Sequence, residues 1–362
     1  MKQLFKNIFY VTLPSILVLL LLLELVFRFV IPAANQPDYI FNESEKMLKF
    51  DAESNTSGVF SIGKLAELRS HWSINAQGWN SPYDYASAHT NKKRICVIGD
   101  SYIEALMVDI DKTYPFLLGQ KLDGSSEVYA FGVSGSPFSQ YLHMSRYVKQ
   151  NFSPDVLVIN LVHNDFDESL KQFCVYPYDK SIEVKNDSVA VEVEPEPYHY
   201  STINRILKRS ALVRYLVTNL KIEKVLRRFQ TKMSDGGGGG AQNANISVNR
   251  AKDHEREIAV AFEYISSKLR EENPGKRIIF VMDGSRQDIY NGTLNNCNVC
   301  FLNDLAGRCA AKNQIEFIDL NPVFDANYKI HHQKFNSDFD FHWDAYGHAI
   351  VADTLYKYIT KT

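Results

Sequence analysis

The hydrophobic positions form short apolar runs that alternate with longer segments of mixed character. Five runs are rich in β-branched and aliphatic residues, as in strands buried on both faces of a parallel sheet: Arg94–Gly99, Val128–Phe131, Val156–Leu161, Arg277–Met282 and Ile315–Leu320. Most of them are separated by segments of helical length: Tyr102–Leu122, Gln140–Gln150, Ala251–Glu272 and Asn303–Lys312. Because such units connect by right-handed crossovers, the pattern predicts an α/β fold, a three-layer α/β/α sandwich around a five-stranded parallel sheet.

The N-terminus carries a different apolar signal. From Ile8 to Ile31 the chain is apolar over a length that can cross a bilayer as a helix. Its two charged residues, Glu24 and Arg28, lie toward the distal end, four residues apart, so that they can pair. Lys2 and Lys6 favour a cytoplasmic N-terminus. We therefore predict a single-pass inner-membrane protein whose remaining chain is periplasmic or extracellular.

A cleaved signal peptide is the alternative interpretation, since Ile31-Pro32-Ala33-Ala34 offers small residues to a signal peptidase. We favour a retained anchor because the apolar span is longer than the ~7–15-residue core of a signal peptide. The predicted organisation is a cytoplasmic leader, an anchor, a stalk with an N-terminal elaboration, an α/β domain in two parts and an insertion between them: residues 1–7, 8–31, 32–92, 93–170 with 251–362, and 171–250.

The predicted insertion interrupts the alternation of strands and helices. Val184–Val193 is compatible with a hairpin, and Gly236–Gly240 is a low-complexity run that should be flexible. Asn204–Arg228 has the pattern of an amphipathic helix, with these basic residues: Arg205, Lys208, Arg209, Arg214, Lys221, Lys224, Arg227 and Arg228. A solvated charged face is the simpler interpretation, and contact with anionic lipid beneath the anchor is the alternative.

Composition and motifs argue against several classes of function. A formal net charge of -2 provides no basic surplus for nucleic acid. Cys297 and Cys300 have the spacing of a redox or zinc pair, but a zinc site needs four ligands and no second pair accompanies them. We therefore predict no metal, and a local disulfide remains an alternative. The sequence has neither the dinucleotide fingerprint nor a phosphate-binding loop.

Candidate chemistry follows three of the predicted strands. Gly99-Asp100-Ser101-Tyr102 places a serine at a strand-to-helix turn after the first strand. Gly132-Val133-Ser134-Gly135 follows the second strand, and Val162-His163-Asn164-Asp165 follows the third. Taken singly, each is more often a helix cap or a turn. Together they meet at the carboxyl edge of a parallel sheet, where ligands bind, and glycine N–H and asparagine amide groups can stabilise an oxyanion there.

A fourth block lies near the C-terminus, where the chain runs from Asp338 to His348 before a final helical stretch. A histidine base needs a carboxylate to fix its tautomer, and in an extended segment Asp340 and His342 project to the same side. Asp344 has the position of an N-cap for the last helix. The four blocks together predict one site that no single block establishes.

These four blocks, in this order, resemble those of the SGNH (GDSL-type) hydrolase family. The resemblance implies that Ser101 is the nucleophile, with Asp340 and His342 as the carboxylate and the base. It also implies an oxyanion hole formed by the backbone N–H groups of Ser101 and Gly135 and by the Asn164 amide. A flavodoxin-like sheet, ester chemistry through an acyl-serine and the absence of a cofactor follow from the same resemblance.

The resemblance covers about residues 93–170 and 275–360, and the chain departs from it in two places. Tyr102 replaces the usual leucine, a change that we expect to alter only the packing at the start of that helix. Asp340 stands two residues before the histidine, as in the polysaccharide O-acetylesterase and O-acetyltransferase branch, whereas many members have a spacing of three. Asp338 is kept as the alternative carboxylate.

Three functional hypotheses follow. The first is a serine esterase or O-acyltransferase that acts on acyl, above all acetyl, esters of an extracytoplasmic glycan, because the anchor would hold the site where such polymers are exported. The second is a lipid esterase or thioesterase. The third is a non-catalytic assembly partner with the same fold, which the complete set of serine, glycine, asparagine and histidine blocks argues against. A membrane-bound partner protein is compatible with each.

Overall fold

The computed structural model describes residues 2–186, 188–198, 201–220, 222, 242–243 and 246–361. The run Gly236–Gly240 and the basic residues Lys221, Lys224, Arg227 and Arg228 lie outside the described residues. The prediction of a flexible run therefore stays a prediction. The single amphipathic helix predicted over Asn204–Arg228 is wrong for its described part, because Ser210 caps a new helix, Ala211–Arg214, after Thr202–Leu207 has ended.

A five-stranded parallel sheet forms the centre of the fold. Its strands are Lys93–Gly99 (β1), Ser126–Gly132 (β2), Val156–Leu161 (β3), Arg277–Met282 (β4) and Glu316–Asp319 (β5). They pair in the order β2-β1-β3-β4-β5, and every neighbouring pair is parallel. This is the flavodoxin-like order of a doubly wound sheet. The predicted fold class is thus confirmed.

Helices cover both faces of this sheet because alternate residues of its strands point to opposite sides. In β1, Cys96 and Ile98 belong to one apolar core, and Ile95 and Val97 belong to the other. The first core is closed by the helices Phe138–Phe152, Glu255–Glu272 and Cys300–Lys312. The second is closed by Tyr114–Lys121, Leu320–His331 and Ala345–Thr360. These two cores and the sheet between them make up the three predicted layers.

The helix predicted over Tyr102–Leu122 is wrong as a single element. It is three pieces: the α-helix Ser101–Glu104, the 3-10 turn Ile110–Lys112 and the α-helix Tyr114–Lys121. Ala105 adopts a left-handed conformation with φ 50°, which ends the first helix. Pro115 lacks a backbone N–H and stands in the first turn of the helix Tyr114–Lys121, where that N–H is not needed for a helical hydrogen bond. The predicted helix Ala251–Glu272 is also divided, into Val248–Asp253 and Glu255–Glu272.

Shorter elements complete the description. The predicted hairpin is confirmed as the antiparallel strands Ser181–Lys185 and Val189–Val193. The remaining helices are Asn164–Glu168, Thr202–Leu207, Ala211–Arg214, the π-helix Tyr215–Asn219, Arg286–Asn291 and the 3-10 turn Leu294–Asn296. Two-residue strands, Gln242–Asn243 and Ile246–Ser247, pair with each other.

The N-terminal elaboration contains two hairpins that the weak periodicity of residues 32–92 did not reveal. Their strands are Tyr39–Asn42 with Met47–Phe50, and Ser57–Ile62 with Leu68–Ser73. Phe60 and Trp72 pack with Leu106 in a separate apolar cluster. The hairpins therefore lie against the segment that follows the helix carrying Ser101.

The leader is helical. It consists of Lys2–Asn7, the π-helix Ile8–Thr12 and Leu13–Phe29. Among the described residues, one helix, Phe5–Phe29, is long and apolar enough to cross a membrane. The predicted pairing of Glu24 with Arg28 is confirmed by a 2.6 Å salt bridge.

Candidate active site

Ser101 lies at the carboxyl end of β1, as the first residue of the helix Ser101–Glu104. Asp100 caps this helix, its carboxylate accepting the Tyr102 N–H at 3.0 Å. A Cβ atom on Gly132, at the end of β2, would lie 2.1 Å from the backbone nitrogen of Glu104. Only glycine therefore lets the helix of Ser101 approach β2 so closely. The local sequence thus fixes the serine at the predicted edge of the sheet.

The structure brings His342 to this serine, although the two are 241 positions apart in the chain. The His342 Nε2 atom lies 2.8 Å from the Ser101 Oγ atom. On the other side of the ring, Nδ1 is hydrogen bonded to the carboxylate of Asp340. The same carboxylate accepts the His342 backbone N–H at 2.9 Å. A base within reach of a hydroxyl, held by a carboxylate on its second nitrogen, can deprotonate that hydroxyl.

The alternative carboxylate is not part of this arrangement. The Asp338 side chain is 82% exposed and forms a 3.3 Å salt bridge with Lys334. Asp344 is the N-cap of the last helix, as predicted, accepting the Gly347 N–H at 2.9 Å. Of the three aspartates in this block, Asp340 is therefore the one beside the imidazole.

The two further predicted oxyanion positions lie on the loops after β2 and β3. Gly135 has φ 80°, and a Cβ atom there would lie 2.5 Å from the Tyr176 ring, so both conformation and space require glycine. Asn164 begins the helix Asn164–Glu168, and its amide nitrogen donates to Glu168 at 2.9 Å. An amide nitrogen carries two hydrogens, and this bond uses one of them.

The expectation that Tyr102 changes only packing is wrong. Its hydroxyl donates to the Phe341 carbonyl at 3.3 Å and accepts from Arg286. Its ring packs edge-on against Trp343 with centroids 4.8 Å apart. Because Phe341 directly precedes His342, Tyr102 holds the loop that carries the imidazole.

Two more residues that hold the His342 loop, Asp283 and Arg286, were not identified from the sequence. Arg286 donates to the Phe341 carbonyl and, at 3.3 Å, to the Asp283 carboxylate, which also accepts the indole N–H of Trp343 at 2.9 Å. Asp283 directly follows β4. The rule that chemistry lies after each strand could have singled it out, but no motif drew attention to that position.

We expect Tyr102→Phe to lower kcat for ester hydrolysis by about three- to tenfold, with KM and melting temperature near those of the unmodified protein. The net value of one hydrogen bond is about 0.5–1.5 kcal/mol, and about 1.4 kcal/mol corresponds to tenfold in rate. Steady-state kinetics and thermal unfolding measure both quantities.

Tyr114→Phe is the matched control for this change. Tyr114 is also a buried neighbour of Trp343, and its hydroxyl has no hydrogen-bond partner within the described part of the chain. We expect that variant to keep its kcat. An unchanged kcat in Tyr102→Phe as well would show that the His342 loop is held without the Tyr102 hydroxyl.

Buried carboxyl groups line the same side of the site. Burial raises the pKa of Glu104 to about 7, although Ser134 and Tyr39 donate hydrogen bonds that oppose the shift. Burial likewise raises the pKa of Glu168 to about 7, against the opposing hydrogen bond from Asn164. These groups keep their protons to higher pH than exposed glutamates. Near neutral pH the site is therefore less negative than its residue types indicate.

Two cavities border the segments that carry His342 and the helix of Ser101. One, of about 380 Å³, is lined by His342, Asp340 and Met107 among others. The other, of about 240 Å³, is lined by Met107 and by polar and aromatic side chains that include Glu104, Ser134, Tyr39, Tyr176 and Tyr178. Met107 lies between the two cavities, on the segment that follows the helix of Ser101.

The two cysteines with zinc-like spacing form a disulfide and not a metal site. Cys297 and Cys300 form a disulfide at the start of the helix Cys300–Lys312. Their sulfurs are therefore not available as zinc ligands. Among the described residues, no group of three or more histidine, cysteine, aspartate or glutamate side chains is arranged to hold a metal ion.

Comparisons with known proteins give solved structures only. No protein-family model and no curated protein matches the sequence. An inhibitor-bound aryl esterase from M. smegmatis is similar at 13% identity, over 74% of this chain and 99% of that one, with a TM-score of 0.36. A carbohydrate acetylesterase from Sinorhizobium meliloti is similar at 10% identity, over 75% and 99%, with a TM-score of 0.36. A phospholipase A1 from Streptomyces albidoflavus NA297 is similar at 12% identity, over 73% and 99%, with a TM-score of 0.42.

The similar structures named above are an aryl esterase, a carbohydrate acetylesterase and a phospholipase. The observed strand order, with the four sequence blocks around one end of the sheet, is the arrangement that the resemblance to SGNH hydrolases implies.

Proposed function

We propose that this chain is a membrane-anchored SGNH-type serine esterase or O-acyltransferase, with Ser101 as nucleophile. The observation that carries the proposal is the alignment of Ser101, His342 and Asp340, in which one imidazole contacts the hydroxyl through Nε2 and the carboxylate through Nδ1. Alignment of this kind activates serine wherever it occurs, independently of fold.

In the first half of the reaction, His342 Nε2 takes the proton from Ser101 Oγ as that oxygen attacks the ester carbonyl carbon. Asp340 stabilises the resulting imidazolium without itself becoming protonated. The tetrahedral intermediate then expels the alcohol, which receives the proton from His342, and the acyl group stays on Ser101. Water, or a sugar hydroxyl in a transferase, resolves the acyl-serine with His342 again acting as base.

We place the oxyanion among the backbone N–H groups of Ser101 and Gly135 and the amide of Asn164. Ser101 stands in the first turn of its helix, where backbone N–H groups have no partner within the helix. Loss of one such donor typically costs about 3 kcal/mol of transition-state stabilisation. The proposed mechanism uses neither a metal nor a cofactor.

For the substrate we infer an acyl ester, above all an acetyl ester, of an extracytoplasmic glycan. The cavity of about 240 Å³ beside Ser134 is small and combines tyrosine rings with a buried carboxyl group. Leu48, Phe60 and Leu106 also line it, and its small volume suits a compact ligand better than a long acyl chain. The anchor would hold the site near exported polymers, and the Cys297–Cys300 disulfide fits an oxidising compartment outside the cytoplasm.

The same location follows from our assignment of the leader. We propose that residues 8–31 stay as the anchor, that residues 1–7 are cytoplasmic, and that the α/β domain of residues 93–170 and 251–362 is periplasmic or extracellular. The elaboration 32–92 and the insertion 171–250 then lie on the same side of the membrane. Positive charge at Lys2 and Lys6 supports this orientation.

The preference of the enzyme for short or long acyl chains tests the substrate class. We expect kcat/KM for p-nitrophenyl acetate to exceed that for p-nitrophenyl octanoate by about tenfold or more, since a closed pocket discriminates by this factor for even one methylene. Release of acetate from an O-acetylated glycan, read by an enzymatic acetate assay, should accompany it. A preference for octanoate would instead support the lipid esterase or thioesterase, which the membrane-proximal position also favours.

A further inference from the structure

The end of the anchor is joined to the insertion by a set of hydrogen bonds, most of them partly buried. The Glu24 carboxylate accepts from the Ser210 hydroxyl at 2.8 Å and from the N–H groups of Ala211 and Leu212, each at 2.9 Å. Arg28 completes the joint by donating to the Arg209 carbonyl at 2.9 Å. The insertion therefore starts its helix Ala211–Arg214 directly on the anchor.

The insertion also contacts the end of the anchor at Phe27 and the N-terminal elaboration at Ala34 and Ser61. Phe27 stacks on Tyr215 with ring centroids 3.7 Å apart. Asn219 accepts the Ala34 N–H at 3.0 Å and donates to the Ser61 hydroxyl at 3.0 Å. A leader cut away after residue 34 would leave the Glu24 partners exposed, so the contacts favour a retained anchor.

A large cleft opens beside this joint. Its volume is about 1160 Å³, well above that of either cavity described at the candidate active site. Four cationic side chains line it together with two carboxylates: Arg28, Lys208, Arg209 and Arg214, with Asp38 and Asp51. The lining therefore carries two more cationic than anionic side chains, and Glu24, which pairs with Arg28 beside the cleft, reduces this excess to one.

Arg214 is the cation in this set with a buried nitrogen that lacks a partner in the described part of the structure. It donates to the Lys208 carbonyl at 2.8 Å, but its Nε is buried and has no hydrogen-bond partner among the described residues. Burial, and then the neighbouring charge of Arg28, lower its pKa. An anion with several oxygens would accept from a guanidinium group and offset this repulsion.

Apolar side chains stand next to these charges. Ile203 and Ile206 are 68% and 62% exposed, and Leu207 continues the same face of their short helix. Glu24, which contacts Ser210, lies five residues before the end of the spanning helix, or about 7.5 Å along its axis. The segment is therefore level with the membrane interface, where apolar residues beside basic ones contact lipid.

We propose that this cleft binds the phosphate headgroup of an anionic membrane lipid, with its acyl chains continuing along the exposed apolar face. Anionic lipid, rather than free phosphate, is the occupant we commit to, because the cleft adjoins the spanning helix. The inference rests on the proposed retention of the anchor and is independent of the role of Ser101. The cleft shares Gln36 and Tyr39 with the cavity lined by Glu104, so a bound lipid would lie close to the candidate active site.

Native mass spectrometry of the full chain in a neutral detergent tests this site. Phosphatidylglycerol should bind at least about tenfold more tightly than phosphatidylcholine, and Lys208→Gln with Arg209→Gln should abolish that preference. Arg28 and Arg214 contact the backbone carbonyls of these two residues, so those hydrogen bonds survive the substitutions. Melting temperature and p-nitrophenyl acetate hydrolysis should not change.

The matched control is Arg308→Gln with Lys312→Gln. Lys312 pairs with Glu263 as Lys208 pairs with Asp38, so both double variants remove two positive charges and one ion pair. The control should keep the lipid preference. Equal lipid binding by both double variants would overturn the proposal, and so would full displacement of the lipid by millimolar inorganic phosphate. Measuring the lipid on Ser101→Ala as well separates this site from the proposed catalysis.

Discussion

Ser101→Ala is expected to lower kcat for p-nitrophenyl acetate by about 10⁴-fold or more. The alanine side chain has no oxygen to attack the carbonyl, and His342 then has no hydroxyl to deprotonate. Hydrogen-bond donors around the oxyanion would leave only a residual rate above that of water. The acyl-serine should be absent as well, which intact-protein mass spectrometry after rapid quenching would show.

The control for this variant is Ser266→Ala. Ser266 is also a buried serine, but its hydroxyl donates to the Phe262 carbonyl at 2.8 Å within the helix Glu255–Glu272. We expect it to keep its activity and to lose at most a little stability. If Ser101→Ala retained more than about 1% of the original kcat, a covalent serine mechanism would be excluded and the non-catalytic assembly partner would become the better hypothesis.

Asp340→Asn should have the second largest effect, a fall in kcat of about 10⁴-fold. Asparagine has nearly the same shape, so the loop should keep its conformation. Its amide can donate to the Nδ1 of His342 and so favours the tautomer in which Nε2 carries the proton, the nitrogen that faces Ser101. That tautomer cannot accept the serine proton. Steady-state kinetics across pH 6–9, with circular dichroism to check folding, measures the loss.

Asp338→Asn tests whether the neighbouring aspartate shares this role. Its carboxylate is exposed and paired with Lys334, so the substitution removes the same charge two residues away without touching the imidazole. We expect its kcat to stay within about twofold, as for other surface changes. A large loss in Asp338→Asn together with a small one in Asp340→Asn would reverse the assignment of the two residues.

Ser101 and His342 are held in place by different kinds of structure. Ser101 stands on a helix at the end of a buried strand, whereas His342 lies on a loop. That loop is held from below by Trp343, which is 1% exposed and bonded to Asp283, and from the side by Tyr102 and Arg286. A catalytic geometry must hold within about 0.5 Å, so for the proposed mechanism we expect these contacts to restrict the movement of His342.

The sheet, its layers and the position of the serine could be predicted from local patterns in the chain. Apolar runs such as Val156–Leu161 carry their own period and length, and a serine after β1 stands at the carboxyl edge because parallel strands all end there. The pairing of Glu24 with Arg28 and the cap at Asp344 could also be predicted. Each is a contact between residues three or four positions apart in the chain.

Features that depend on contacts between distant residues became visible in the folded chain. The tertiary structure placed Asp340 rather than Asp338 beside His342, gave Tyr102 a partner in Phe341, and docked the insertion on Glu24. The end of the helix at Ala105 also follows from packing, because alanine by itself favours a continuous helix. Side chains that are far apart in the chain meet only after the core has formed. A local sequence pattern therefore does not predict these contacts.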